Sequence, residues 1–373
     1  MMRGKRMDKK TVCVGVVGAG AISDIYFENM INRFDNLYVK SVCAGHLASA
    51  QKKAEKYRIS ATTLEEMLAD PEIKLVVNLT PAHAHYGIIK AALEHGKHVY
   101  TEKTLTDDLK KSEELVSLAR EKGLYLGSAP ETFLGGALQY AKKVIEEGLI
   151  GEINSFSISA NRNNDMLLDA YAYMRQPGGG IVCDYGVYYC TALVTLLGSV
   201  KRVGSIVRTP YPTHINTMPG NPLEGQLMET PNESEVSAIM QMANGITGTF
   251  HINADSIFAD QAFFYIYGTK GILILPDPNQ FAGPVRLIRQ TEEFWKHTEP
   301  EILWKPEEGE VNFRGIGPSE MAETILHGTP YRATAELACH VHEVLTAMLA
   351  GGEEGAFKDI FSDACKRDET GRF

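Results

Sequence analysis

The sequence predicts an α/β chain in which a doubly wound parallel sheet is followed by a second domain built on an antiparallel sheet. Three observations carry the prediction. Short β-branched runs alternate with helical patterns through residue 128. The first of these runs ends in a glycine-rich turn that opens a helix. From about residue 129 the alternation gives way to consecutive strand-like runs with short links. Alternating helices return the chain to make parallel neighbours, whereas short links join antiparallel ones. The 373 residues exceed one ordinary domain of roughly 100–200. The expected division is 1–128 and 129–373, with the last helices packing back on the first part.

Residues 11–17 form an apolar, β-branched run, as in a strand buried on both faces. Gly18, Ala19, Gly20, Ala21, Ile22 and Ser23 follow, a GxGxxG turn with Ser in the last place, opening a helix over 24–33. The first glycine permits the tight turn, and the second lets backbone approach a pyrophosphate. The small third residue lets helix and strand pack closely. The helix amides then face the diphosphate. A nicotinamide dinucleotide in a Rossmann-type domain is the expectation.

The second strand, 37–44, would ordinarily end in an acid that binds the ribose hydroxyls of NAD. Here it runs into Ala44, Gly45 and His46. Without that carboxylate a 2′-phosphate meets no repulsion, so NADP is favoured while NAD stays open. Lys40 and His46 are candidate phosphate partners.

The alternation continues with helices over 48–57 and 64–68, a strand over 73–80 and a helix from Pro81 through 95. A strand over 96–103, a helix over 106–122 capped by Thr106 and Asp107, and a strand over 124–128 close the series. Ligands bind at the C-terminal ends of such strands, which places Thr80, Pro81, Glu102, Lys103 and Ser128 on the ligand edge. His85 reads either as a contact to the nicotinamide end or as a satisfied helix histidine.

In the second half a helix is expected over 133–148 and a half-buried strand over 152–160. An apolar helix over 188–197 is ended by Gly198. Strands follow over 200–209, 235–242, 246–253, 262–267 and 271–275, with Asn244-Gly245 marking a hairpin. Residues 211–233, rich in Pro and Asn, read as a long loop. Two late helices are expected over 320–327 and 333–349.

The formal net charge is −10, with 37 basic against 47 acidic residues. A nucleic-acid binder needs a basic footprint, so that class is excluded. No apolar stretch approaches the roughly 20 residues of a membrane span. The basic start lacks the apolar run of a signal peptide, so a cytoplasmic location is expected. The six cysteines include no CxxC pair and read as buried free thiols. His83 and His85, like His340 and His342, form HxH pairs without an evident third ligand, and no metal is expected.

The chain resembles the glucose-fructose oxidoreductase and inositol dehydrogenase family, Gfo/Idh/MocA. The matching segments are Gly15 to Gly20, the run from Thr80 to His85, and Gly96 to Val99 with Glu102-Lys103. Ile145 to Glu152 and Gly178 to Tyr188 extend the match, in the family's order and rough spacing. The resemblance implies a Rossmann domain paired with an α/β domain on a large open, mostly antiparallel sheet. It also implies NAD(P)-dependent oxidation or reduction of a sugar, polyol or related compound. There are departures. Thr104 replaces the usual Pro after Glu-Lys, which frees the backbone there, and Ala82 replaces a frequent Asn. Tyr188 stands where many members have His. Tyrosine at that place is similar to the glucose-fructose oxidoreductase, dihydrodiol dehydrogenase and xylose dehydrogenase branches.

Oxidising an alcohol needs a base for the hydroxyl proton and a donor for the developing alkoxide. Lys103, at a strand end, can donate to the reacting oxygen and lower the pKa of a neighbouring phenol. Tyr188 is the candidate proton-transfer residue, or else a core aromatic clustered with Tyr185 and Tyr189, and Lys103 also reads as a structural ion pair with Glu102. Asp184, four residues earlier, shares its helix face and is expected to orient the substrate or Lys103, or to act as a helix cap. Gly178, Gly179 and Gly180 read as a flexible turn or a close approach to substrate. Two other readings stay open. One is a redox-neutral enzyme that retains NAD and cleaves glycosides by transient oxidation and elimination. The other is a non-catalytic NAD(P)-binding regulator. A homodimer or homotetramer through the second sheet is expected.

Overall fold

The β-branched runs of the N-terminal part become strands with both faces covered. β1 (Val12–Val17) and β4 (Leu75–Asn78) are buried at every residue. In the computed structural model these strands stand at the centre of a six-stranded sheet. The structure describes residues 10–163, 172–176, 178–257, 261–293, 295–307, 312–354 and 357–364. Most of the basic N-terminal stretch, and Cys365, lie outside the described residues.

With β2 (Leu37–Cys43), β3 (Ser60–Ala61), β5 (His98–Thr101) and β6 (Leu126–Ser128), the sheet has the order β3-β2-β1-β4-β5-β6. Every pairing in it is parallel. The crossovers are α1 (Ser23–Asn32), α2 (Leu47–Tyr57), α3 (Leu64–Ala69), α4 (Ala82–Glu94) and α5 (Leu109–Glu121). Cys13, Val76, Val99, Leu115 and Leu126 pack together in one apolar core. Each such side chain contributes about 1.5–3 kcal/mol on leaving water. α5 starts later than the sequence pattern indicates. Its cap is Asp108, whose carboxylate accepts from the Lys111 amide at 3.1 Å, while Thr106 turns its hydroxyl to the Asp108 carbonyl. Thr106 and Asp107 therefore do not cap it.

The chain divides into two compact units. The first comprises the described residues through Leu134 together with Asn312–Cys339; the second comprises those of Gly135–Val311 and His340–Ala364. In the first unit α8 (Ile316–His327) packs on β1, β5 and β6. Its entry is held by Asn29, whose amide donates to the carbonyls of Asn312 and Arg314 at 3.0 and 2.8 Å.

Buried Glu131 accepts from the amides of Gly315 and Gly317, each at 2.6 Å, at the start of the same helix. Desolvation pushes the Glu131 carboxyl up to about 7 despite those two donors. A carboxyl raised on folding binds its proton more tightly in the folded chain. Its contribution to stability is complete below the ordinary value of 4.5 and is lost as pH rises towards 7. The loss is up to about 1.4 kcal/mol per pH unit. Thermal denaturation across that window should show a decline in the wild type that Glu131→Gln removes. Equal pH slopes in the two proteins would refute this.

The second unit is organised by β7 (Ile153–Asn161), the central strand of nine. Its other helices are α6 (Gly136–Glu146), α7 (Val187–Leu197) and the part of α9 (Ala335–Glu354) beyond Cys339. The remaining strands are β8 (Val200–Arg208), β11 (Glu235–Met242), β12 (Thr247–Asn253), β13 (Gln261–Gly268), β14 (Gly271–Leu275), β15 (Val285–Arg289), β16 (Glu301–Trp304) and β17 (Lys358–Asp359). The order is β16-β15-β14-β13-β7-β12-β11-β8-β17. All pairs are antiparallel except β7 with β12. The hairpin at Asn244-Gly245 forms as expected, with Gly245 at φ +92°.

The stretch read as one long loop contains its own hairpin, β9 (Thr213–Ile215) against β10 (Leu227–Glu229). The helix expected over 133–148 begins as a 3₁₀ turn, Thr132–Leu134, before α6. The break falls at Gly135 and Gly136, where a Cβ would run into the backbone of Phe281 and the Trp304 ring. No helix among the described residues is long and apolar enough to cross a membrane. The free thiols of Cys13, Cys43, Cys190 and Cys339 are buried, whereas that of Cys183 is half-buried.

Candidate active site

In the first unit the turn after β1 closes as its glycines require. Gly18 has φ +114°, and a Cβ there would stand 2.7 Å from the Leu79 carbonyl carbon and 3.1 Å from the Thr80 nitrogen. The β1–α1 turn is thus pressed against the end of β4, bringing Gly18, Ala19 and Gly20 beside Thr80 and Pro81. A Cβ on Gly20 would meet nothing within 4 Å. The backbone there faces open space of the kind a diphosphate needs. Ser23 is fully buried and donates to the Gly20 carbonyl at 2.6 Å, so it closes the turn in place of a third glycine. Ala21 and Ile22 lead into α1, which has no side-chain cap; the Ser23 amide donates to the Gly20 carbonyl at 3.1 Å, and a helix N-terminus of this kind suits an anion.

The Gly18 amide donates to the Cys43 carbonyl at 2.8 Å, which sets Ala44, Gly45 and His46 beside the same turn. A Cβ on Gly45 would also meet nothing within 4 Å. His46 is exposed at the start of α2. Lys40 is not available to a ligand. It pairs with Asp70 at 2.5 Å and with Glu72, and those two carboxylates hold its ammonium well above the usual lysine range.

At the ends of β4 and β5 a polar chain fixes the two loops. The Asn78 amide donates to the Thr101 hydroxyl at 3.0 Å, and the Thr80 hydroxyl donates to the Asn78 carbonyl oxygen at 2.7 Å. Glu102 accepts from the Tyr26 hydroxyl at 2.8 Å and from the Lys103 amide at 3.2 Å. The Lys103–Thr104 peptide is cis. Ser128, buried at the end of β6, donates to the Ala129 carbonyl at 3.0 Å.

His85 is fully buried, with Nε2 2.7 Å from the Thr80 carbonyl and Nδ1 2.8 Å from that of Thr104. Burial holds its pKa below the ordinary histidine value. The expected nicotinamide contact is therefore corrected. Both ring nitrogens face backbone carbonyls, a neutral ring donating to one of the two, and His85 packs between the loop bearing Pro81 and the loop bearing Lys103. His340 is similarly occupied, Nε2 accepting from the Val200 amide at 3.0 Å and Nδ1 lying 2.9 Å from the Ser362 hydroxyl.

In the second unit Asp184 lies in a π-helical turn, Val182–Gly186, that runs directly into α7. The turn begins at Ile181, so Asp184 is not its cap. The first free amide, that of Val182, donates to the Glu233 carboxylate at 3.0 Å. The glycine triplet serves this arrangement. A Cβ on Gly180 would collide with the Glu233 carboxylate, and one on Gly179 would stand 2.6 Å from the Tyr173 carbonyl oxygen. These two glycines admit protein neighbours rather than substrate. Tyr173 also donates its hydroxyl to Asp184 Oδ1 at 3.1 Å.

Tyr188 is the second residue of α7 and is 8% exposed. Its ring centroid is 6.3 Å from that of Tyr185. Tyr185 and Tyr189 both donate to Asp277, at 2.5 and 3.2 Å, and so anchor the helix to the segment after β14. Glu233, Tyr173 and Asp277 escape sequence reading. Glu233 sits in a stretch without periodicity, and its only trace is the third glycine it packs on.

The chemistry of the two halves is distinct. The first offers an open backbone cradle, a helix N-terminus and a lysine, which fit a dinucleotide. The second offers a carboxylate on the π-helical turn and a phenol in the first turn of α7, which fit proton transfer to or from a hydroxyl.

Two family models match the chain. Residues 12–129 match the oxidoreductase family with an NAD-binding Rossmann fold, and residues 138–274 match the GFO/IDH/MocA C-terminal domain. A scyllo-inositol 2-dehydrogenase (NADP(+)) of Bacillus subtilis is 26% identical over 54% of this chain and 56% of its own length. An uncharacterized oxidoreductase of Schizosaccharomyces pombe is 35% identical over 38% of each chain. The chain thus spans about half the length of these curated relatives. A trans-1,2-dihydrobenzene-1,2-diol dehydrogenase of Mus musculus is 25% identical over 78% of this chain and 81% of its own. Levoglucosan dehydrogenase, solved with NADH and L-sorbose, shares the fold with a TM-score of 0.81 at 18% identity, covering 94% of this chain and 99% of that one. The chain belongs to the Gfo/Idh/MocA family of oxidoreductases.

Proposed function

We propose that this protein is an NAD(P)-dependent dehydrogenase or reductase acting at a hydroxyl-bearing carbon of a sugar, polyol or glycoside. The observation that carries the reading is Asp184 on a turn buttressed by Glu233, with Tyr188 four residues on in the helix the turn runs into, in a chain whose Gly20 faces open space. Relatives named as dehydrogenases of scyllo-inositol and of a dihydrobenzenediol support the substrate class.

The dinucleotide is held by the residues Gly18 to Ile22, by Ala44, Gly45 and His46, and by Thr80, Pro81, Glu102 and Lys103. Its nicotinamide, when bound, supplies the hydride acceptor or donor. Tyr188 takes the hydroxyl proton as the alcohol becomes a carbonyl, or returns it in the reverse direction. Lys103 donates to the reacting oxygen. Asp184 orients the substrate, with Tyr173 donating to its Oδ1.

Purified protein should bind NADPH or NADH and show nicotinamide absorbance changes with members of a sugar, polyol and glycoside panel. Sugar release from a glycoside without net dinucleotide turnover would replace this reading by transient oxidation and elimination. Tight dinucleotide binding with no turnover of any panel member would replace it by a non-catalytic role.

With Lys40 paired to Asp70 and Glu72, His46 is the other candidate partner for a 2′-phosphate. NADPH should bind more tightly than NADH, by up to roughly 5-fold, as suits an exposed polar contact. Competitive fluorescence titration measures the ratio, and tighter NADH binding would overturn the preference.

The assembly follows from the outward face of the nine-stranded sheet. Ile206 on β8, Ile239 on β11 and Phe263 on β13 are 65%, 56% and 43% exposed. A second copy covering this face gives a homodimer or homotetramer. Light scattering should show an oligomer that Ile206→Asp with Ile239→Asp reduces to a monomer. A monomeric wild type would dismiss it.

A further inference from the structure

Arg162 stands one residue beyond β7. Its backbone is held on both sides, the amide donating to the Asn253 carbonyl at 2.8 Å and the carbonyl accepting from the Ser256 amide at 3.0 Å. The side chain therefore projects from a rigid element. Its guanidinium lies 4.2 Å from the centroid of the Tyr185 ring. Tyr185 is the residue between Asp184 and Gly186 on the π-helical turn, and its ring neighbours that of Tyr188. Arg162 thus reaches the turn that carries the proposed chemistry.

Among the described residues, none gives Arg162 an anion, and its Nε is buried with no hydrogen-bond partner. Asp277, at the hydroxyl end of the Tyr185 ring, accepts from Tyr185, from Tyr189 and from the Asn279 amide at 2.9 Å. A guanidinium cannot shed its charge in a protein, and leaving a buried N–H unpaired is costly. A guanidinium stacked on a ring keeps its N–H groups in a plane that suits bidentate carboxylate pairing, and here the Nε of that plane is unpartnered. The chain as a whole is acidic, at −10, so a local cation is also the feature that would draw an anionic substrate inward.

We infer that Arg162 is a specificity-determining residue that pairs with the carboxylate of a sugar acid, a uronic or aldonic acid, bound against the Asp184 and Tyr188 turn. The inference rests on the proposed placement of the reacting carbon at that turn. It adds a substrate class: the polyol end meets Tyr188, and the acid end meets Arg162. No step of the hydride transfer is altered.

The test compares matched pairs, glucose with glucuronate and galactose with galacturonate, in the full chain with dinucleotide. The uronates should be preferred in kcat/KM by roughly 10-fold or more. Arg162→Met should lower kcat/KM on uronates by roughly 10- to 100-fold, mostly through KM, and leave the neutral sugars within about 2-fold. Arg162→Lys should restore part of the loss. Equal preference for acids and neutral sugars in the wild type overturns the inference without needing any variant. So does an equal loss on both substrates in Arg162→Met, which would mark a purely structural stack. Preference for glucose 6-phosphate over glucuronate overturns the carboxylate assignment.

Binding separates this inference from the catalytic reading. Uronate binding to Tyr188→Phe protein, measured calorimetrically, should vanish when Arg162→Met is added. If it does and the wild type turns over nothing, the catalytic reading fails and the sugar-acid site stands. If neutral sugars turn over at least as well as uronates, the sugar-acid site fails and the catalytic reading stands.

Discussion

Tyr188→Phe should lower kcat by roughly 10²- to 10⁴-fold, the range for removing a positioned acid or base. The substitution deletes one hydroxyl and keeps the ring that packs beside Tyr185, so the fold and dinucleotide binding should be unchanged. Lys103→Ala should lower kcat comparably. Effects of groups acting as a unit are not additive, so the double variant should be little worse than either single one. Steady-state kinetics with a panel substrate makes the measurement. Near wild-type kcat in both single variants would remove the assigned roles while leaving the family and the fold untouched.

The second large effect separates two glycines two residues apart. Gly18→Ala should destabilise the first unit by roughly 2–5 kcal/mol. At φ +114° an L side chain is strained, and its Cβ would stand 2.7 Å from the Leu79 carbonyl, a backbone atom that cannot step aside cheaply. Gly20→Ala should leave stability within about 0.5 kcal/mol, as at an unencumbered surface site. Its Cβ meets nothing within 4 Å in the protein alone. It should nonetheless weaken dinucleotide binding by roughly 10-fold or more, the scale of a steric misfit of 1–2 kcal/mol. Thermal melts and fluorescence titration together decide the matter. A Gly20→Ala protein that melts normally and binds NADPH as tightly as the wild type would show that the open face of Gly20 is not where the diphosphate lies.

Much of the fold is legible in the sequence because its signals are local. A strand buried on both faces is written as a β-branched run, so β1, β2, β4 and β5 are found within a residue or two. Asn244-Gly245 marks its hairpin by backbone preference alone. The less legible elements are those stabilised by neighbours. β15 and β16 have apolar positions too few and too short to separate from the loops around them. β9 and β10 lie in a Pro- and Asn-rich stretch whose pairing no local pattern announces. The start of α5 is a competition among three cap-forming residues in a row. Asp108 wins because Thr106 is drawn into a buried hydrogen-bonded loop, lying 2.8 Å from the Ser112 hydroxyl, while Asp107 pairs with the Lys111 ammonium at 3.0 Å.

The candidate site divides in the same way. The sequence by itself determined the glycine turn, the missing acid after β2, and the order of Lys103, Asp184 and Tyr188 along the chain. These depend on residue type and spacing, which the string of amino acids contains in full. Only the tertiary structure decided what each side chain is free to do. It committed Lys40 to Asp70 and Glu72, buried His85 between two carbonyls, and spent two of the three glycines on Glu233 and Tyr173. It also left Arg162 stacked on Tyr185 with a buried N–H unpaired. The physical reason is that a polar group's role is set by its partners, and those partners lie tens of residues away in the chain. Glu233 is 51 residues from the amide it caps, and Asp277 is 92 from the phenol it anchors.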